Sequence, residues 1–236
     1  MFQFKQFAIQ QEKVAMKLGT DAILLGSWVD IENVSYALDI GSGTGILALM
    51  IAQRNSIALI DGIDINKDAV EQAKANVLAS PWANRIHILH SNLHNYFHTC
   101  KKKYDLIICN PPYFSNGFPV ADIGRNIARV AENLDSEVLI SASQHLLSET
   151  GKLAVILPFE TAEKFLKSAL HNKLFCHRKT IVYSKADKPP IRILVEIKKQ
   201  QSIVQENIII IEGDKPNTYS GTFKNLTEEF YLHFRK

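Results

Sequence analysis

The segment Ala37-Leu38-Asp39-Ile40-Gly41-Ser42-Gly43-Thr44-Gly45-Ile46-Leu47-Ala48-Leu49 constrains the possible fold more than any other. A short apolar run, glycines at alternate positions and a second apolar run read as strand, tight turn and helix. Glycines in such a turn let the backbone reverse sharply and let a ligand approach it closely. The spacing is Gly-x-Gly-x-Gly, not the Gly-x-Gly-x-x-Gly of dinucleotide sites, and Asp39 precedes it on the strand. The pattern favours a nucleoside with a zwitterionic tail over a pyrophosphate, which makes Asp39, Gly41, Gly43 and Gly45 candidate binding residues.

Strand and helix patterns then alternate, which implies a parallel sheet covered on both faces. The run Ile57-Ala58-Leu59-Ile60-Asp61-Gly62-Ile63 ends in Asp64, about 20 residues past the turn, where an acid for ribose hydroxyls is expected. Asp64 also precedes the helix opened by Asn66-Lys67-Asp68-Ala69-Val70, so capping is its other reading. After His90-Ser91, Asn92 either accepts from an adenine amine or caps the next helix. Helices are expected over 137–148 and 161–171, with a strand over 151–157 between them. Runs 174–183, 191–198 and 207–211 are rich in β-branched residues and joined by the turn signals Lys188-Pro189-Pro190 and Gln200-Gln201-Ser202, which favours antiparallel strands at one edge of the sheet.

The strand Tyr104-Asp105-Leu106-Ile107-Ile108-Cys109 runs straight into Asn110-Pro111-Pro112-Tyr113. A Pro-Pro turn there can simply end the strand. It also solves a chemical problem. The lone pair of an exocyclic aromatic or amide nitrogen is delocalised, so alkylating it needs acceptors that hold the NH2 hydrogens and draw the nitrogen toward tetrahedral geometry. Asn110 offers a side-chain carbonyl and Pro111 a main-chain carbonyl, and the prolines fix both in advance. Tyr113 offers a ring for a flat base to stack on.

This order of glycine turn, acid and Asn-Pro-Pro-Tyr resembles the class I S-adenosylmethionine-dependent amino-methyltransferases. The opening segment (Gln6-Phe7, then Ala15-Met16-Lys17-Leu18-Gly19-Thr20-Asp21 and Leu24-Leu25-Gly26), the stretch Ala79-Ser80-Pro81-Trp82-Ala83-Asn84-Arg85-Ile86 and the end Phe223-Lys224-Asn225-Leu226-Thr227-Glu228-Glu229-Phe230-Tyr231 resemble one bacterial family, the tRNA(Val) adenine-N6 methyltransferases. That resemblance implies an α/β, Rossmann-like class I methyltransferase fold, a mainly parallel seven-stranded sheet with antiparallel C-terminal strands. It implies S-adenosyl-L-methionine as methyl donor and the adenosine 3′ of the tRNA(Val) anticodon, position 37, as target. It places Thr20 and Asp21 over the donor, where either is otherwise a helix N-cap. Related enzymes often carry Asp where this chain has Asn92, which keeps an acceptor without the charge. An adenine of rRNA or DNA would use the same catalytic residues. A release-factor glutamine would too, but those enzymes carry a longer helical amino-terminal domain, for which there is no room before Leu38. A dinucleotide oxidoreductase leaves Asn110 to Tyr113 unexplained, and a non-catalytic RNA-binding module leaves the glycine turn unexplained.

With 236 residues, 46% hydrophobic, the chain is sized for one substantial core. The reading is a single domain, 1–236: an amino-terminal extension of about one helix (1–35), a core (36–200) and a closing strand and helix (201–236). The net charge of +3 permits nucleic acid without requiring it. Lys101-Lys102-Lys103 reads as a solvated turn on the edge away from the site, whereas Arg125 and Arg129, in the long segment 114–133, are candidates for RNA phosphate or an unpaired base. Each has Glu132 or Asp135 as an alternative partner. Three cysteines without Cys-x-x-Cys spacing fit a reducing cytoplasm, and the eight histidines form no metal pattern. No secretory signal or membrane-length apolar stretch is evident, so the expected location is cytoplasmic.

Overall fold

The computed structural model describes residues 1–14, 17–111 and 135–233. In chain order the elements are β1 (Phe2–Gln3), β2 (Ala8–Ile9), α1 (Thr20–Trp28), β3 (Tyr36–Ile40), α2 (Ile46–Arg54), β4 (Leu59–Asp64), α3 (Lys67–Leu78), β5 (Ile86–His90), α4 (Leu93–Thr99), β6 (Tyr104–Cys109), α5 (Ser136–Leu146), β7 (Leu147–Pro158), α6 (Ala162–His171), β8 (Phe175–Tyr183), β9 (Pro190–Lys198), β10 (Gln205–Ile210) and α7 (Gly221–Thr227). A small antiparallel pair, β1 with β2, stands apart from a main sheet ordered β10-β8-β9-β7-β6-β3-β4-β5.

Helices cover both faces, so the central strands are apolar at nearly every position instead of alternating. On β3 and β6, Ala37, Leu106 and Ile108 pack with α1, α2 and α3 into one cluster. Leu38, Ile40, Ile107 and Cys109 turn the other way, toward α4, α5 and α6. Truncating a fully buried residue such as Ile108 to alanine costs about 2–5 kcal/mol.

The main sheet has eight strands where seven were expected. The C-terminal strands are also less antiparallel than their turn signals suggested: β9 alone runs against the others. A tight connection after β8 forces β9 to reverse. The chain then crosses to the other side of β8, where β10 runs in the same direction as β8 and pairs with it in parallel. The amino-terminal extension is a two-stranded hairpin followed by α1, more than the one helix expected. Lys102, in the lysine triplet at the amino end of β6, pairs with Asp61 at 2.8 Å, on the edge away from the carboxyl ends of β3, β4 and β6.

Candidate active site

β3, β4 and β6 are parallel neighbours, so their carboxyl ends open on one edge of the sheet, where crevices form. Gly41, Gly43 and Gly45 have φ of 71°, 53° and 79°, the left-handed region that only glycine enters at little cost. A Cβ on Gly41 would meet nothing within 4 Å, so bare backbone faces open space there. The loop is held from beneath: the Gly41 and Ser42 amides both donate to the Ile63 carbonyl, at 2.9 and 3.0 Å.

Asp64 serves this loop directly. One carboxylate oxygen accepts from the Gly43 amide at 2.8 Å and the other from the Asn66 amide at 2.9 Å. The α3 cap is Asn66, whose side chain accepts from the Ala69 amide at 3.1 Å. A carboxylate has about four acceptor positions, so Asp64 keeps lone pairs for a ligand while fixing the turn. Asn92 takes its capping reading, its side chain accepting from the Asn95 amide at 2.7 Å at the start of α4, and it also lines the cavity.

That cavity has a volume of about 640 Å³, ample for a ligand of nucleoside size. Gly41, Gly43, Asp64, Asn92, Asn110 and Pro111 all line it. Ser42 lines it too, and its buried hydroxyl has no hydrogen-bond partner among the described residues, a polar group left for a ligand. Open backbone, an unpaired hydroxyl, a strand-end carboxylate and the apolar walls Leu18, Ile65 and Leu93 fit a nucleoside bearing a polar tail. Asn110 and Pro111 join this wall after β6, beside the glycine loop and Asp64.

Other expected residues lie elsewhere. Gly45 shapes the loop as the α2 N-cap but does not line the cavity. Asp39 is wholly buried behind the loop, where one oxygen accepts from the Ala48 amide at 3.2 Å and the other has no partner among the described residues. Burial, reinforced by Asp64, pushes its pKa up to about 7, although the Ala48 bond opposes the shift. The same burial, with Asp39 and Asp64 nearby, raises the Cys109 thiol well above its ordinary range. Thr20 is exposed at the start of α1, and Asp21 is paired with Arg192 at 3.1 Å; neither lines the cavity, and the helix cap is Gly19 without a side-chain bond. Pro112, Tyr113, Arg125, Arg129 and the rest of 112–134 lie outside the described residues, as do Ala15 and Met16. No group of three or more metal-ligating side chains occurs among the described residues.

Asn76 is a site-supporting residue that the pattern of the sequence conceals. Buried on α3, it accepts from the Gln10 amide and donates to the carbonyls of Gln10 and Thr44, each at 2.9 Å. It thereby ties the amino-terminal segment to the glycine loop. The available signal is its place on the buried stripe of α3 with Ala69, Ala73 and Val77.

The family described as the methyltransferase small domain matches residues 17–181. A tRNA1(Val) (adenine(37)-N6)-methyltransferase of Trichodesmium erythraeum is 43% identical over 235 residues, covering 99% of this chain and 98% of the relative. Enzymes of the same name from Histophilus somni, over 99% of this chain, and Flavobacterium psychrophilum, over 98%, are each 40% identical and covered to 98% and 99% of their own lengths. Among solved structures, a predicted O-methyltransferase from Agrobacterium tumefaciens superposes with a TM-score of 0.69 at 16% identity, covering 92% of this chain and 99% of its own. The ribosomal protein L11 methylase from Lactobacillus delbrueckii subsp. bulgaricus gives 0.56 at 16%, covering 80% and 83%. These two likenesses concern the fold alone. Near full-length identity of 40% and above concerns descent: this chain belongs to the methyltransferase small domain family and, within it, to the tRNA1(Val) (adenine(37)-N6)-methyltransferases.

Proposed function

We propose that this chain transfers a methyl group from S-adenosyl-L-methionine to N6 of an adenine in tRNA, at the adenosine 3′ of the anticodon of tRNA(Val), in the cytoplasm. One observation carries the reading: Asn110 and Pro111 share a cavity wall with the glycine loop and Asp64. Family membership supports the choice of target.

When bound, the donor supplies an electrophilic methyl group on a sulfonium. Gly41 and Gly43 would give it backbone, Asp64 would accept from its ribose hydroxyls and Asn92 would accept from its adenine amine. The Asn110 side-chain carbonyl and the Pro111 main-chain carbonyl accept the two amine hydrogens of the target, which concentrates the lone pair on nitrogen. Once alkylated, that nitrogen is cationic and acidic, so its proton leaves to solvent or a neighbouring carbonyl without a strong base. Tyr113 stacks on the unstacked target base, and Arg125 and Arg129 contact the RNA; a loop yields its base more cheaply than a duplex does. Residues 1–236 act as one domain, with 1–35 over the donor, 36–200 as core and 201–236 closing it.

The test is transfer from labelled S-adenosylmethionine into total tRNA, total rRNA and a release factor, with nucleoside mass spectrometry of labelled RNA. N6-methyladenosine in one tRNA is expected; label only in rRNA or protein would overturn the target. Asn110→Ala should lower transfer on the order of 100-fold or more while donor affinity by calorimetry stays near the parent value. Asp64→Ala should chiefly weaken donor binding. Equal loss of donor affinity in both variants would sink these roles.

A further inference from the structure

Two asparagines stand at matching places past the carboxyl ends of β4 and β5. Asp64 and His90 are the last register partners of these strands, and Asn66 and Asn92 each follow two residues later. Both asparagines line the cavity. Both also cap a helix in the same way: the Asn66 side-chain oxygen accepts from the Ala69 amide at 3.1 Å, and the Asn92 oxygen accepts from the Asn95 amide at 2.7 Å. A backbone N–H only donates, so each cap fixes its amide with the oxygen on the helix and the NH2 group turned off it. Neither NH2 group has a partner among the described residues. Capping alone does not explain the choice of asparagine. Aspartate caps a helix as well, but an ionised carboxylate has no hydrogen to give. What the two positions share beyond their caps is amide hydrogens at one cavity wall, to which Ile65 and Leu93 add apolar surface.

We propose that Asn66 and Asn92 together read the adenine ring of the methyl donor, Asn66 donating to ring nitrogen N3 and Asn92 to ring nitrogen N1. The proposal rests on the methyl-donor reading of the cavity and extends it to hydrogens that reading leaves unused. N3 lies on the sugar side of adenine, and Asn66 is held beside the carboxylate assigned to the ribose, its main-chain amide donating to Asp64 at 2.9 Å. N1 adjoins the exocyclic amine. The Asn92 carbonyl keeps a second lone pair after capping, so it accepts from the amine while its NH2 group serves N1. A ring acceptor taken from water into an apolar site without a donor is costly, which makes each hydrogen a contribution to affinity. The same hydrogens select the base: hypoxanthine carries its own hydrogen on N1 and would set two donors against each other.

The experiment measures, by calorimetry, the affinity of the full chain, Asn66→Asp and Asn92→Asp for S-adenosylmethionine and for its 3-deaza and 1-deaza analogues, in which N3 or N1 is replaced by C–H. Aspartate keeps each cap while removing the hydrogens, and thermal melts without ligand check the fold. The three ligands carry the same charge, so the effect of the added carboxylate cancels when they are compared within one variant. Asn66→Ser and Asn92→Ser, which also keep a cap, repeat the comparison without that charge. The parent should bind each analogue about tenfold more weakly than the natural donor. In Asn66→Asp the 3-deaza penalty should vanish while the 1-deaza penalty stays, and in Asn92→Asp the reverse. Analogues bound by the parent within about twofold of the natural donor would overturn the proposal. A penalty that survives in its own variant would overturn the role of that asparagine by assigning the hydrogen to the main chain. Failure of the parent to bind S-adenosylmethionine at all would overturn the methyl-donor reading itself.

Discussion

Asp39 shows how one residue can be legible in type and hidden in consequence. Its place before the glycines marked it as part of the binding turn, but its pKa of about 7 arises from burial behind α2, which no spacing reveals. The folded-state value lies above the ordinary one, so the protonated form favours the fold. Its stabilising contribution is full below about pH 4 and is lost as pH rises through 7. Without donor, the parent should therefore lose a few kcal/mol relative to Asp39→Asn between pH 5 and 8 in urea titrations; parallel pH curves would refute this. The positions of Asp64 and Asn110 on the cavity wall were readable because each stands at the end of a strand. Asn76 was not, since an asparagine on a helix stripe gives no hint of the Gln10 and Thr44 groups it will satisfy. Asn76→Leu should cost about 3 kcal/mol or more in chemical unfolding by stranding buried backbone groups, and weaken donor binding as the glycine loop loosens. A loss below about 1 kcal/mol would mean that water replaces the amide.

Elements fared better than their partnerships. Strands β3 to β7 follow from apolar runs closed by turn residues, and helices 137–148 and 161–171 were expected within a few residues of α5 and α6. The direction of β10 was hidden because it depends on which side of β8 the chain emerges, and β-branched composition does not encode that. The glycine turn is the element most sensitive to a single methyl group. Gly45 sits at φ 79°, with Ala73 Cβ 3.4 Å from where its own Cβ would be. Gly45→Ala should cost about 1–2 kcal/mol in backbone strain, seen as a lower urea midpoint, with donor affinity falling alongside. An unchanged midpoint would mean that α2 can begin one residue later at no cost.

At the scale of the molecule, the two ends of the described chain meet. Lys5 donates its amide to the Phe230 carbonyl at 2.9 Å, and the Phe4 ring lies 4.7 Å from Phe7 and 6.5 Å from Phe230. Phe230 is fully buried. Phe230→Ala should cost about 3–5 kcal/mol, and hydrogen exchange should quicken first at Phe4 and Ile9; protection retained there would show that the hairpin holds without the C-terminal ring. The sequence showed aromatic residues at both ends but not that they share one cluster, because that contact spans more than two hundred positions.

The meeting of the ends also sets a timetable. Synthesis delivers the glycine turn and Asp64 early, but the amino-terminal hairpin lacks its packing partner until residue 230 has left the ribosome. The amino-terminal hairpin thus completes its packing only through a residue more than two hundred positions downstream.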